Sequence, residues 1–415
     1  MKRAIALAAG LSIGLAACGD DGDSASGGGG GEEPRTLTIY SSLPLQGAQR
    51  PQTTDMVKGI ELALEQTGGK AGEFTVRYQS LDDSTAQAGS WTPEATQANA
   101  RKAAQDESTA AYIGEFNSGA SAISIPILNE AQVPQISPAN TAVGLTSDEP
   151  GAEPGEPDKY YTTGERHYVR IVPKDTIQGA ALATLMKEDG CTAVFMTNDK
   201  EVYGAGLARN IESSAEAQGL QLVANEAIDK NAPNYRSLAQ AARSRDADCF
   251  VYSGITANNA VQLYKDFAAA LPNAQLYGPD GVAETGFTDP EEGGIPPDVA
   301  TRVKLSVATL SPDEYPPEGQ EFFELFEEKY DEPNPNPYSI YGYEAMRLAL
   351  DAIERSGTGE KADIVAALFE TRDRQSVLGT YSIDENGDTT LTDYGIYRVT
   401  DGELEFDRTI EAETG

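Results

Sequence analysis

The chain of 415 residues holds a single histidine, His167. That scarcity rules out a histidine metal cluster and leaves no imidazole relay for a serine or cysteine nucleophile. HExxH, GxSxG and GxxxxGK[ST] are all missing, and GAGLAR, after Tyr203, lacks the third glycine of a dinucleotide fingerprint. No metal and no cofactor are expected. Positive charge is also short: 31 Lys and Arg face 66 Asp and Glu, for a net charge of −35. Such a surface repels nucleic acid and other polyanions. The acids are spread evenly, which reads as solubility or a salty habitat rather than as one site. The adjacent Asp82 and Asp83 are the kind of carboxylate pair that does acid–base work, but acids at a strand end are expected to be solvated loop residues.

Long apolar runs are equally rare. The run from Ala4 to Ala17, behind Lys2 and Arg3, is too short to span a membrane as a mature helix. Leu15, Ala16 and Ala17 directly before Cys18 resemble the bacterial lipobox, in which the cysteine becomes the lipidated first residue. The resemblance implies a signal peptide over 1–17, a lipid on Cys18 and a Gly/Ser/Asp-rich tether over 18–35. An ordinary secretory peptide with a chance cysteine is the alternative. With lipidation, the protein is expected outside the cytoplasm, anchored to the bacterial cell membrane by lipid alone.

Two further cysteines, Cys191 and Cys249, each open a short apolar run of strand type. If those strands are parallel neighbours, both thiols lie at one end and a disulfide is reasonable; two buried reduced thiols are the other reading.

From Thr36 the pattern alternates. TLTIYSSLPL, FTVRYQSLDD, AAYIGEF and VPQISPAN read as strands, with amphipathic helices between them, the first stopped by Gly68 and Gly69. After an acidic Pro/Gly-rich excursion over 147–164, the alternation resumes with CTAVFMTND, LQLVANEAI, CFVYSGI and AQLYGPDGV as strands. Helical segments EGQEFFELFEEKY and YGYEAMRLALDAIERSG follow. Strands alternating with helices need crossover connections, so the fold class is α/β: two Rossmann-like lobes, each a parallel sheet flanked by helices. Ligands of such sheets sit beyond the carboxyl ends of the strands, where NSGAS and SPANT fall. The small hydroxyl residues of NSGAS either cap the helix that they open or offer its free N–H groups and a hydroxyl to an anion.

The ordered set YIGEFNSGAS, PQISPANT, RIVPKDTIQG, NDKEVYGAGLA, CFVYSG and YGPDGV, behind a lipobox, resembles the type I periplasmic binding proteins. Within them it is most similar to the leucine/isoleucine/valine-binding receptors of ABC importers. The resemblance implies a three-crossover hinge, with one lobe formed by 36–173 plus 311–395 and the other by 174–310 plus 396–415. It implies an amino acid between the lobes, its carboxylate held by Ser118 and Thr141, its ammonium by the carbonyl of Ala139 and by Asp280. Tyr203 and Thr256 match cleft positions of the far lobe, and Gln52 falls where the side-chain pocket is shaped. The expected partners are a permease and an ATPase subunit in the membrane.

Gln52 and Thr256 depart from the family pattern, being polar where its best-known members carry aromatic residues, so a polar amino acid, an amide or another small zwitterion is as well matched as leucine. A ligand sensor for a partner receptor is the rival role, and an extracytoplasmic amidase using Asp82 or Asp280 the rival chemistry.

Overall fold

A computed structural model describes residues 35–412. The leader, Cys18 and the tether as far as residue 34 lie outside them. The strand Thr36–Leu43 is buried along nearly its whole length, because it lies between two parallel neighbours, Phe74–Asp82 and Thr109–Ile113, with helices over the faces. Gln135–Ser137 and Tyr168–Arg170 extend this sheet on one side, and the short Lys70–Ala71 pairs antiparallel on the other. The second sheet runs Leu222–Ala227, Val194–Asn198, Cys249–Ser253, Gln275–Gly278 and Val303–Val307, all parallel. An antiparallel hairpin, Tyr394–Thr400 with Glu403–Ile410, completes it.

The chain moves to the second sheet after Tyr168–Arg170 and leaves it after Val303–Val307. It then adds the helices Pro317–Tyr330, Ser339–Ser356 and Lys361–Phe369 before returning to the second sheet at Tyr394. Ser339–Ser356 packs on the first-sheet helix Arg50–Gln66. Two glycines make that contact close: a Cβ on Gly59 would stand 2.3 Å from the Ser339 carbonyl oxygen, and one on Gly342 2.3 Å from that of Met56. Any larger residue would force the helices apart.

Cys191 and Cys249 are joined in a disulfide, with Cα atoms 5.8 Å apart. Cys249 is paired with Val194 in the parallel ladder, so the adjacency of the two strands brings the sulfurs together.

Candidate functional site

Beyond the carboxyl ends of the strands lies a cavity lined by residues that follow strands of both sheets. On the first-sheet side, the strand Thr109–Ile113 leads to Asn117, whose extended backbone (φ −89°, ψ 134°) precedes the helix Ser118–Glu130. The capping position is therefore Asn117, and its side chain makes no cap bond. Ser118 is the first helical residue; its hydroxyl accepts from the Ala142 amide at 3.3 Å rather than capping its own helix. The helix thus opens toward the cavity with first-turn N–H groups that have no intrahelical partner. Gly119 is needed there: a Cβ would stand 2.8 Å from the Trp91 indole.

The neighbouring loop carries Ala139 and Thr141. It is held by Ser137 Oγ, which accepts from the Asn140 amide at 2.9 Å, and by Asn140 Nδ2, which donates to the Phe116 carbonyl at 2.9 Å. Behind it the fully buried Arg170 donates to the carbonyls of Ala142 (2.8 Å) and Asn140 (3.2 Å), and pairs with Asp388 at 2.7 Å.

On the second-sheet side, Asp280 follows the strand Gln275–Gly278. It accepts from Gln178 Nε2 at 2.6 Å, Tyr203 Oη at 2.7 Å and Tyr338 Oη at 2.9 Å. Tyr338 immediately precedes the helix packed on Arg50–Gln66, so its bond spans the cleft. Burial raises the Asp280 pKa in spite of these three donors.

Ser118, Ala139, Thr141, Tyr203 and Asp280 therefore line one cavity. Thr256 and Gln52 do not line it. Thr256 is buried beside it and donates to the carbonyl of cavity-lining Gly281 at 3.4 Å. Gln52 is 1% exposed, and neither its amide nitrogen nor its oxygen has a hydrogen-bond partner among the described residues. Sequence reasoning passed over Trp91, Phe116 and Ile255, which give the cavity its apolar wall, and Glu201 at its rim. Trp91, the chain's single tryptophan, was the available signal. Among the described residues, no lysine or arginine lines the cavity.

Asp83 corrects the expectation of solvated acids: it is fully buried, facing Glu115 just ahead of the Ser118 loop. Burial, and then the Glu115 charge, raise the Asp83 pKa; burial pushes Glu115 up to about 7, against the bonds donated to it. Burial likewise raises Asp175 to about 8, opposed by the Thr141 hydroxyl, and Asp199 to about 6, opposed by Asn258. These groups hold protons in the folded state that the unfolded chain releases near pH 4 to 4.5, so their contribution is present in acid and lost as pH rises through the raised values. We expect the unfolding free energy of the ligand-free protein to fall by on the order of a few kcal/mol between pH 5 and pH 8. Urea titrations at the two pH values check this; equal or greater stability at pH 8 contradicts it.

A family model described as periplasmic binding protein matches residues 36–403. The Leu/Ile/Val-binding protein BraC3 of Rhizobium johnstonii is 25% identical over 377 residues, covering 89% of this chain and 93% of the relative. The crystal structure of the leucine binding protein LivK from Thermotoga maritima superposes with a TM-score of 0.77 at 23% identity, covering 90% of this chain and 98% of that one. A solute binding protein of an ABC transporter from Rhodopseudomonas palustris HaA2, in complex with p-hydroxybenzoic acid, gives 0.73 at 19% identity, covering 91% and 97%.

Proposed function

The chain belongs to the periplasmic binding protein family, as an extracytoplasmic solute-binding protein rather than an enzyme, and we propose that its solute is an amino acid or a similar small zwitterion. The ligand carboxylate meets the Ser118 hydroxyl and the N–H groups of the helix start, together with Thr141. The ammonium meets Asp280 and the Ala139 carbonyl. The observation that carries this reading is the placement of a donor-rich helix start and a buried carboxylate in one cavity without a basic side chain. One end suits a negative group and the other a positive one. An aromatic carboxylate of the kind bound by the Rhodopseudomonas neighbour would suit Trp91 and Phe116 but would leave Asp280 facing no positive charge.

In this reading 36–173 with 311–395, and 174–310 with 396–415, act as lobes that hinge about the three chain crossings. Because Asp280 and Ser118 stand on different lobes, both ends of the ligand are engaged only in the closed form, so ligand and closure stabilise one another. Lipidation at Cys18 keeps the receptor at the membrane, where it hands its cargo to a permease served by an ATPase.

A thermal-shift screen against amino acids, small amides and aromatic acids tests the proposal, since a ligand of the folded state raises its apparent stability. An amino acid is expected to give the largest shift, and Ser118→Ala to weaken that ligand by about 1 to 3 kcal/mol. Stabilisation only by compounds without an amine would contradict it.

A further inference from the structure

Next to the cavity, the seam between the two sheets' elements holds buried polar atoms with no hydrogen-bond partner among the described residues. Glu284 ends the PDGVAE segment, is 1% exposed, and neither carboxylate oxygen has a hydrogen-bond partner among the described residues. It lies beside Thr256 of the second-sheet side and Gln49 of the first, though neither reaches it in bonding geometry. The seam is close here: a Cβ on Gly286 would stand 3.1 Å from that of Ala48. Gln49 Nε2 and both polar atoms of Gln52, one helical turn on, are likewise buried and unpartnered. This group adjoins the cavity through two of its lining residues: Ser90, beside Trp91, donates to Gln49 Oε1 at 3.4 Å, and Thr256 donates to the carbonyl of Gly281.

Buried polar groups are ordinarily paired, because an orphaned amide or carboxyl loses its hydration without return. Three such side chains gathered at one edge of a binding cavity are groups awaiting a partner. A branched aliphatic side chain would leave all of them unmet, whereas the apolar walls of Trp91, Phe116 and Ile255 are free to cover the methylenes of a longer ligand. Burial raises the Glu284 pKa to about 8, and the nearby Asp280 charge adds to the rise, so a cationic tail that restores the ionised carboxylate gains more here than an acidic one.

We propose that Glu284, with Gln49 and Gln52, selects an amino acid whose side chain ends in an N–H-bearing group: an amide, an ammonium or a guanidinium. The inference rests on the reading of the cleft as an amino-acid site and specifies what lies at its far end.

The experiment compares glutamine, asparagine, ornithine, lysine and arginine with leucine, isoleucine and valine in titrations of the full chain. Glu284→Leu and, as an independent variant, Gln52→Leu are carried through the same panel. A donor-tipped amino acid is expected to bind at least tenfold more tightly than any aliphatic one. Each variant is expected to cut that ratio at least tenfold, chiefly by weakening the donor-tipped ligand. Comparison of amide with cationic ligands identifies which N–H group is read. Tighter binding of leucine, isoleucine or valine by the unaltered protein overturns the inference while leaving the amino-acid site in place. So does an unchanged ratio in whichever variant folds. Failure of every amino acid to bind overturns the underlying reading, and this one with it.

Discussion

Replacing Asp280 with asparagine is expected to weaken the amino-acid ligand at least about a hundredfold, while leaving the ligand-free protein as stable as before or more so. The first effect follows from the ammonium. In a closed, dry cleft its charge meets the buried Asp280 carboxylate, and removing one member of a buried charge pair costs about 3 to 5 kcal/mol, much of it the penalty on the partner left behind. The second follows from the surroundings of Asp280. The carboxyl is buried and receives bonds from Gln178, Tyr203 and Tyr338. An asparagine Oδ1 still accepts from Gln178 and Tyr203, its Nδ2 donates to the Tyr338 hydroxyl, which turns to accept, and the neutral amide removes a charge that burial opposes. A purely structural Asp280 would give the opposite pattern, loss of stability with affinity intact. Calorimetric titration and thermal melts of the same two proteins separate the cases.

Replacing Arg170 with methionine is expected to cost about 3 to 5 kcal/mol of stability, because it leaves the buried Asp388 carboxylate with only Lys174, 3.4 Å away, as counter-charge. Arg170 is 0% exposed, bonds Asp388 through Nε at 2.7 Å and also bonds the Thr146 hydroxyl. Burial by itself would raise the Asp388 pKa, but the Arg170 charge, with that of Lys174, outweighs it and holds the value below 3.8. This contribution is therefore present above the unfolded value and is lost as pH falls through the lower folded one, opposite in sign to that of Glu115 and Asp175. Stability is accordingly expected to peak in mild acid. The same arginine holds the carbonyls on either side of Thr141, so the variant should also bind ligand more weakly. A double variant, Arg170→Met with Asp388→Leu, is expected to recover part of the lost stability, since no charge is then left unpaired. Urea unfolding of the single and double variants checks this; equal losses in both would place the cost in packing rather than in charge.

Much of the fold was legible because the strands are parallel and covered on both faces. Their sequences, such as AAYI and CFVYS, are continuous apolar runs between helical patterns. Val303–Val307 escaped notice as a strand because Lys304 and Ser306 interrupt it. The final hairpin escaped because Glu403–Ile410 alternates charged and apolar residues at an exposed edge, with the turn at Asp401 and Gly402. At the site, Ser118, Thr141 and Asp280 were indicated by the family resemblance of NSGAS, SPANT and YGPDGV, motifs that lie a few residues past strand ends. Tyr338 was not, because it reaches Asp280 across 58 residues of chain by way of helix packing. The burial of Asp83 was hidden for a similar reason: its neighbour Glu115 lies on another strand end, and only the ladder joining Thr36–Leu43 to both flanking strands brings the two acids together.

Trp91 supplies a direct test of the central claim, that the cleft holds a zwitterion between the Ser118 helix start and Asp280. It is the chain's one tryptophan and it lines the cavity, so its fluorescence reports that cavity alone. Titration with the amino acid that most raises the melting temperature is expected to change the emission saturably, and Asp280→Asn to move the midpoint at least about a hundredfold higher. An amino acid that stabilises the protein while leaving Trp91 emission unchanged, or one that binds both proteins equally well, would contradict the account.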